Sequence, residues 1–131
     1  MVYYVDTSAL VKLLVAEDGS DRAQAIWAGM DGCPASSAIA WTELLRAVRE
    51  QGPVIVSRAR RLLESLDLIT VDHAILDRAA SLDPAIMRSL DAIHLACALA
   101  LGDDLEAVVT FDTRMARAAQ VLGLPALGCQ L

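Results

Sequence analysis

The chain has 131 residues, 17 acidic and 11 basic, and carries a formal charge of −6. Hydrophobic residues make up 56%, which is enough for one core and excludes a disordered chain; the length suits one domain, 1–131, rather than two. Two Trp, two Tyr and one Phe are too few for stacking platforms of the single-strand-binding kind, and the acidic balance argues against non-specific coating of DNA.

Cys33, Cys97 and Cys129, with His73 and His94, follow no C-x-x-C or H-x-x-x-H spacing, so neither a disulfide scaffold nor a zinc site is expected. The cysteines read as small buried apolar residues, with Cys129 the one nearest exposure. MVYYVDTSALVKLL lacks a basic n-region and places Asp6 where a signal peptide would be apolar, and AIHLACALAL is too short to span a bilayer. The expectation is a soluble protein of a reducing cytoplasm.

In chain order, VYYV (Val2 to Val5) predicts a strand stopped by Asp6, with Thr7 and Ser8 capping a buried helix that runs to Gly19. Ser20 opens a second helix that reaches Met30. CPASS (Cys33 to Ser37) predicts a short strand, and Trp41, Leu44, Leu45 and Val48 then repeat the helical period. Gly52-Pro53 breaks that helix and starts another, in which Ile55, Ala59, Leu62 and Leu66 form the stripe. LITV (Leu68 to Val71) predicts a third strand and Asp72 caps the helix after it. Ser89 starts and caps LDAIHLACALALG, AVVTF (Ala107 to Phe111) is a fourth strand, DTRMARAAQVLG a last helix, and PALG (Pro125 to Gly128) a weak fifth strand.

Short, apolar, unalternating strands, each followed by helix, predict an α/β fold. Its form is a three-layer α/β/α sandwich around a parallel sheet of four to five strands. Open sheets of this kind bind ligands beyond the carboxyl ends of their strands, where strand order reverses. Asp6 ends the first strand and Asp112 follows the fourth. Asp91 lies in the first turn of its helix and Glu43 in the second turn of the helix after the second strand. Gathered on one rim, four carboxylates repel unless something neutralises them, and oxygen-only ligation suits Mg²⁺ or Mn²⁺. Two such ions about 4 Å apart can activate water and stabilise a leaving oxygen in phosphodiester hydrolysis. Each residue also has a plainer use. Asp6 and Asp112 sit where N-caps sit, Asp91 suits the helix dipole, and Glu43 lies opposite the apolar stripe, toward either solvent or the cleft.

YYVDTSALVKLL, SSAIAWTELLRAV, LDAIHLACAL and VVTFDTRMARAA, in that order, span nearly the whole chain and together resemble the PIN-domain ribonucleases. The likeness is greatest to the toxin component of VapBC type II toxin–antitoxin pairs. The resemblance implies a PIN-like fold and a metal-dependent endoribonuclease that uses one or two Mg²⁺ or Mn²⁺ ions held by Asp6, Glu43, Asp91 and Asp112. It implies a VapB-like antitoxin whose C-terminal segment fills the cleft, a homodimer, an RNA substrate, and DNA contact only through the antitoxin. A hydroxyl near the metals is common in such sites, and Ser8 or Thr110 fits that position; their plainer uses are as a cap and as a strand residue.

For holding RNA, Arg114 beside the cleft is the strongest candidate. Arg46, Arg49, Arg58, Arg60 and Arg61 form a cluster that reads rather as a solvated helix face near Glu50 and Glu64 than as a phosphate-binding one. His94, three residues after Asp91, reads as a hydrogen-bonded core histidine, and His73 as a surface residue. A haloacid-dehalogenase-like phosphatase would want a second Asp where Ser8 stands. A phospho-receiver would want a late-strand Lys, and the only lysine is Lys12. The remaining rival is a catalytically inactive PIN-like module that acts by protein binding.

Overall fold

The β-prone run after Met1 forms β1 (Val2–Val5), and the other apolar runs form β2 (Cys33–Ser37), β3 (Asp67–Ile69), β4 (Leu105–Thr110) and β5 (Ala126–Gly128). This computed structural model describes residues 1–129; residues 130 and 131, included in the predicted domain, lie outside the described residues. All strand pairs are parallel, in the order β3-β2-β1-β4-β5. Between them run α1 (Thr7–Leu14), α2 (Ser20–Ala28), α3 (Ile39–Val48), α4 (Pro53–Ser65), α5 (His73–Ala80), α6 (Ser89–Ala100) and α7 (Thr113–Val121).

Successive residues of a strand face opposite ways, and β1 and β4 use both faces. Val5 and Val109 pack with Leu10, Leu44, Val48 and Leu63 from α1, α3 and α4. Tyr4 and Val108 pack on the opposite side with Ile75, Ala92 and Ala96 from α5 and α6. Leu95 joins Met115, Ala118 and Ala119 of α7 in a third cluster. The result is the expected three-layer sandwich, with five strands. Strand order reverses at β1, whose neighbours are β2 and β4. Val5 pairs with Val109 and the Asp6 N–H donates to the Val109 carbonyl at 3.1 Å, so Asp6 emerges on the rim where β4 ends.

Several local expectations are corrected. α1 ends at Leu14, not Gly19, because Val15 is already extended and the following loop is held by tertiary bonds. The Ser20 hydroxyl donates to the Val15 carbonyl at 2.9 Å, and Lys12 Nζ reaches the Asp18 carbonyl at 2.6 Å. Nor is α1 wholly buried; only Ala9 and Leu10 are. Its cap is Asp6, with Thr7 the first helical residue. α6 follows Arg88, which gives no side-chain cap, so Ser89 lies inside the helix. β3 starts at Asp67 and ends at Ile69, two residues short of the run read from sequence. Cys33 is exposed, not buried; Cys97 is buried and Cys129 half-buried. Gly128 is required: its φ is 119°, and a Cβ there would lie 2.1 Å from the Thr110 carbonyl oxygen. That close approach seats β5 against the end of β4.

Candidate active site

At the end of β1, Asp6 turns the chain from strand to helix. Its Oδ1 accepts the Ala9 N–H at 3.1 Å and the Ser8 hydroxyl at 2.6 Å, while Oδ2 accepts the Thr110 hydroxyl at 2.5 Å. The residue is 3% exposed. Burial pushes its carboxyl above the usual range. The Ser8 and Thr110 hydroxyls, the His94 imidazole and the Ala9 N–H pull it back without cancelling that effect. Asp6 is therefore both a cap and a buried acid.

Both hydroxyls have a second bond. Ser8 Oγ accepts the Phe111 N–H at 2.9 Å and Thr110 Oγ1 accepts the Asp112 N–H at 3.1 Å. They join the β1–α1 corner to the β4–α7 corner. Asp112 caps α7, its Oδ1 accepting the Arg114 N–H at 2.8 Å and the Met115 N–H at 3.4 Å.

Asp91 stands half-buried in the first turn of α6. Its carboxyl is raised, first by burial, then by the negative charges of Asp112 and Asp6, with His94 and Arg88 opposing. Asp91 thus feels the charges of acids from two other segments, Asp6 and Asp112.

Glu43 belongs to a separate hydrogen-bonded set. Its Oε1 accepts the Thr7 hydroxyl at 2.8 Å and lies 2.6 Å from His94 Nε2, and His94 Nδ1 lies 2.6 Å from the Tyr4 hydroxyl. A carboxylate only accepts, so Nε2 donates to Glu43 and, in the neutral ring, Tyr4 donates to Nδ1. Burial works to raise the Glu43 carboxyl, but its bonds and attraction to His94, with the Thr7 hydroxyl, outweigh it and hold the group below its usual range. The helical wheel left open whether Glu43 faces solvent or cleft; it faces Thr7 and His94. His94 is buried and hydrogen-bonded, as read from sequence, whereas Tyr4 and Thr7 were missed. The available signal was positional: Tyr4 shares a strand face with Asp6, and His94 lies one turn beyond Asp91.

The donor set is all carboxylate oxygen and suits a hard divalent cation. Among the described residues, however, no three His, Cys, Asp or Glu side chains are arranged to hold one ion. Asp6 directs both its oxygens to hydroxyl and N–H donors, while Asp112 and Glu43 each place one oxygen on the protein's own donors. The chemistry of these groups fits a cation; their present orientation serves the protein's own donors.

Two grooves open beside the rim. One, of about 470 Å³, has Asp91, Arg88, Arg114 and Arg117 in its wall. The other, of about 720 Å³, is lined by Thr7, Thr42, Glu43, Arg46 and Leu90. Arg114 thus shares a groove with Asp91. The hairpin arginines Arg46, Arg49, Arg58, Arg60 and Arg61 are exposed, and His73 is exposed.

The PIN domain profile matches residues 3–121. The chain is 44% identical over 121 residues to Ribonuclease VapC46 of Mycobacterium tuberculosis, covering 92% of each chain. Its fold superposes on Mycobacterium tuberculosis VapC20, described as a sarcin-ricin-loop-cleaving toxin, with a TM-score of 0.74 at 19% identity, covering 88% of this chain and 94% of that one. It is similar also to VapBC2 of Rickettsia felis, solved with a promoter DNA fragment, with a TM-score of 0.72 at 17% identity and 99% and 100% coverage.

Proposed function

The chain belongs to the PIN-domain family, and from that premise we propose that it is a metal-dependent endoribonuclease, the toxin of a VapBC toxin–antitoxin pair. The observation that carries the reading is the rim itself. Asp6, Asp91 and Asp112 come from β1, α6 and the β4–α7 corner to the point where strand order reverses, in a chain 44% identical to a named ribonuclease.

Asp6, Asp91 and Asp112, with Glu43 directly or through water, would hold one or two Mg²⁺ or Mn²⁺ ions. Such ions supply Lewis-acid activation of water and offset charge on the reacting phosphate. Around them the protein's own groups have distinct tasks. Ser8 and Thr110 fix both oxygens of Asp6 and so act as positioning residues. Thr7 and His94 hold Glu43 at the edge of the rim, and Tyr4 holds the His94 ring. Arg114 offers its guanidinium to a backbone phosphate, which a planar fork binds in bidentate fashion. Asp91, less tightly bonded than Asp6, keeps a carboxyl turned toward the groove.

The partners that follow from this reading are a VapB-like antitoxin, a second copy of the chain, and RNA, with DNA contacted only through the antitoxin. Residues 1–131 then act as one domain in the cytoplasm. No helix among the described residues is long and apolar enough to cross a membrane. A protein-binding module that does not cut RNA remains the second reading, favoured by the commitment of Asp6, Asp112 and Glu43 to internal donors.

Cleavage of total RNA, followed by mapping of the new ends, separates the two. The wild type cuts with Mn²⁺ and stops in EDTA, and Asp6→Asn cuts more than about 100-fold more slowly. Cutting that persists in EDTA or in the variant overturns the reading.

A further inference from the structure

The groove that opens on Asp91 has an uneven character. Arg88, Arg114 and Arg117 stand in its wall, and Ile86 and Met87, with Pro84, Ala118 and Val121, form its apolar part. The three arginines are exposed, and among the described residues none of their side chains makes an ion pair or a hydrogen bond. Asp91 and Asp112 are close in space, yet the guanidiniums are not folded down onto them. Arg114 and Arg117 lie one turn apart on α7, so they share a face. Arg88 precedes α6, whose first turn has no side-chain cap and so leaves backbone N–H groups free beside the arginine. Ile86 is 93% exposed, an unusual placement for a large apolar side chain.

In a chain of formal charge −6, three arginines without an ion pair stand together beside an acidic rim, a local concentration of positive charge. A repeating anion with apolar faces between its charges matches such a wall. Single-stranded RNA has this form: a phosphate at every nucleotide and a base between phosphates. A groove of about 470 Å³ falls in the size range of small-ligand sites, so it suits a nucleotide or two and not a duplex.

We propose that Arg88, Arg114 and Arg117 form a phosphate-binding subsite that grips the RNA strand on one side of the cut, with Ile86 seated against the neighbouring base. This rests on the nuclease reading above and extends it to the substrate's flanking nucleotides. Strand grip and chemistry then belong to different groups: the arginines act on binding, the carboxylates on bond cleavage.

The test uses the full chain in EDTA with a fluorescently labelled single-stranded 12-nucleotide RNA of mixed sequence. Anisotropy is followed from about 50 to 200 mM salt, the range over which phosphate contacts weaken strongly. The double variant Arg88→Gln/Arg117→Gln binds about tenfold or more weakly at the lowest salt, and its log–log salt slope is shallower by about 1.4. With Mn²⁺ its KM rises while kcat is retained, and Ile86→Ala changes which sequences are cut first. Arg49→Gln/Arg60→Gln, which removes the same charge from α3–α4, leaves KM and slope unchanged.

A wild type that cuts RNA while Arg88→Gln/Arg117→Gln keeps its KM and slope overturns the subsite and leaves the nuclease reading standing. Equal losses in the Arg49/Arg60 variant overturn it too, since the effect is then of net charge alone. Loss of polyglutamate binding with RNA binding intact assigns the wall to an acidic protein partner and also overturns it. A wild type that binds RNA through these arginines but never cuts it supports the subsite and refutes the nuclease reading; one that does neither refutes both.

Discussion

Replacing Thr110 by Val tests whether Asp6 is held as a charged, hydroxyl-braced carboxylate. Val is close in shape, so packing against fully buried neighbours is little changed, but the 2.5 Å bond to Asp6 Oδ2 disappears. The 3.1 Å bond accepted from the Asp112 N–H goes as well. A hydrogen bond to a charged group is worth about 1.5–3 kcal/mol, and losing one here leaves a carboxylate oxygen unpaired in a site 3% exposed. The expected loss at neutral pH is therefore about 2–3 kcal/mol, or roughly 7–11 °C in melting temperature for a chain of this size. Thermal and urea unfolding are measured in EDTA for wild type, Thr110→Val, Asp6→Asn and the double variant. Because Thr110 binds the ionised form, its removal raises the Asp6 carboxyl further. The destabilisation is full at neutral pH and shrinks as pH falls through the variant's Asp6 value, where the acid takes up a proton. In the Asp6→Asn background the same substitution costs less than half as much, giving a coupling energy of about 1 kcal/mol or more. An equal cost in both backgrounds, or a loss at neutral pH under about 0.5 kcal/mol, refutes the reasoning, since such small values are typical of uncoupled surface changes.

Tyr4→Phe removes the hydroxyl 2.6 Å from His94 Nδ1 in a buried site, so stability falls by about 1–2 kcal/mol and RNA cleavage slows as Glu43 loses its fixed partner. Urea unfolding together with a cleavage assay checks both, and an unchanged denaturation midpoint refutes it. Burial raises the carboxyl of Asp6, so the folded chain binds that proton more tightly than the unfolded chain does. Metal-free wild type therefore gains stability from Asp6 as pH falls from neutral into the window between the raised and ordinary values, whereas Asp6→Asn lacks that gain. Melting curves in EDTA across the acidic range decide it, and parallel pH profiles for the two proteins count against it.

The rim was legible in the sequence wherever local chemistry set the structure. An acid stops an apolar run at Asp6 and again after β4, and each becomes the N-cap of the next helix, because a carboxylate both ends a buried strand and satisfies a helix's first N–H groups. Asp91 was placed in its first turn by the apolar helix that follows. What was not legible depends on contacts distant in the chain. Glu43 finds His94 across 51 positions and Thr7 across 36, so no helical wheel of α3 decides its direction. Tyr4 looked like one more apolar strand residue, and its hydroxyl has a purpose only once α6 brings His94 beneath it. The end of α1 was misjudged for the same kind of reason: helix propensity favours continuing past Leu14, and Ser20 and Lys12 hold the loop against it.

Ser8 and Thr110 explain why the spacing between Asp6 and Asp112 does not depend on two free side chains. Each hydroxyl donates to Asp6 and accepts a main-chain N–H of the β4–α7 corner, Phe111 for Ser8 and Asp112 for Thr110. The carboxylate of one acid is thereby tied to the backbone of the other. An Asp6 that capped α1 alone would need only the Ala9 bond, and a neutral Ser or Asn would provide it without burying a charge. The extra bonds fix a charge that folding alone does not require, at the point where Asp91 already feels the charges of Asp6 and Asp112. Under the proposed function a cation would meet an Asp6 already held in place, while Asp91, Asp112 and Glu43 would still have to turn toward it, since no three of the described His, Cys, Asp or Glu side chains are arranged around one ion.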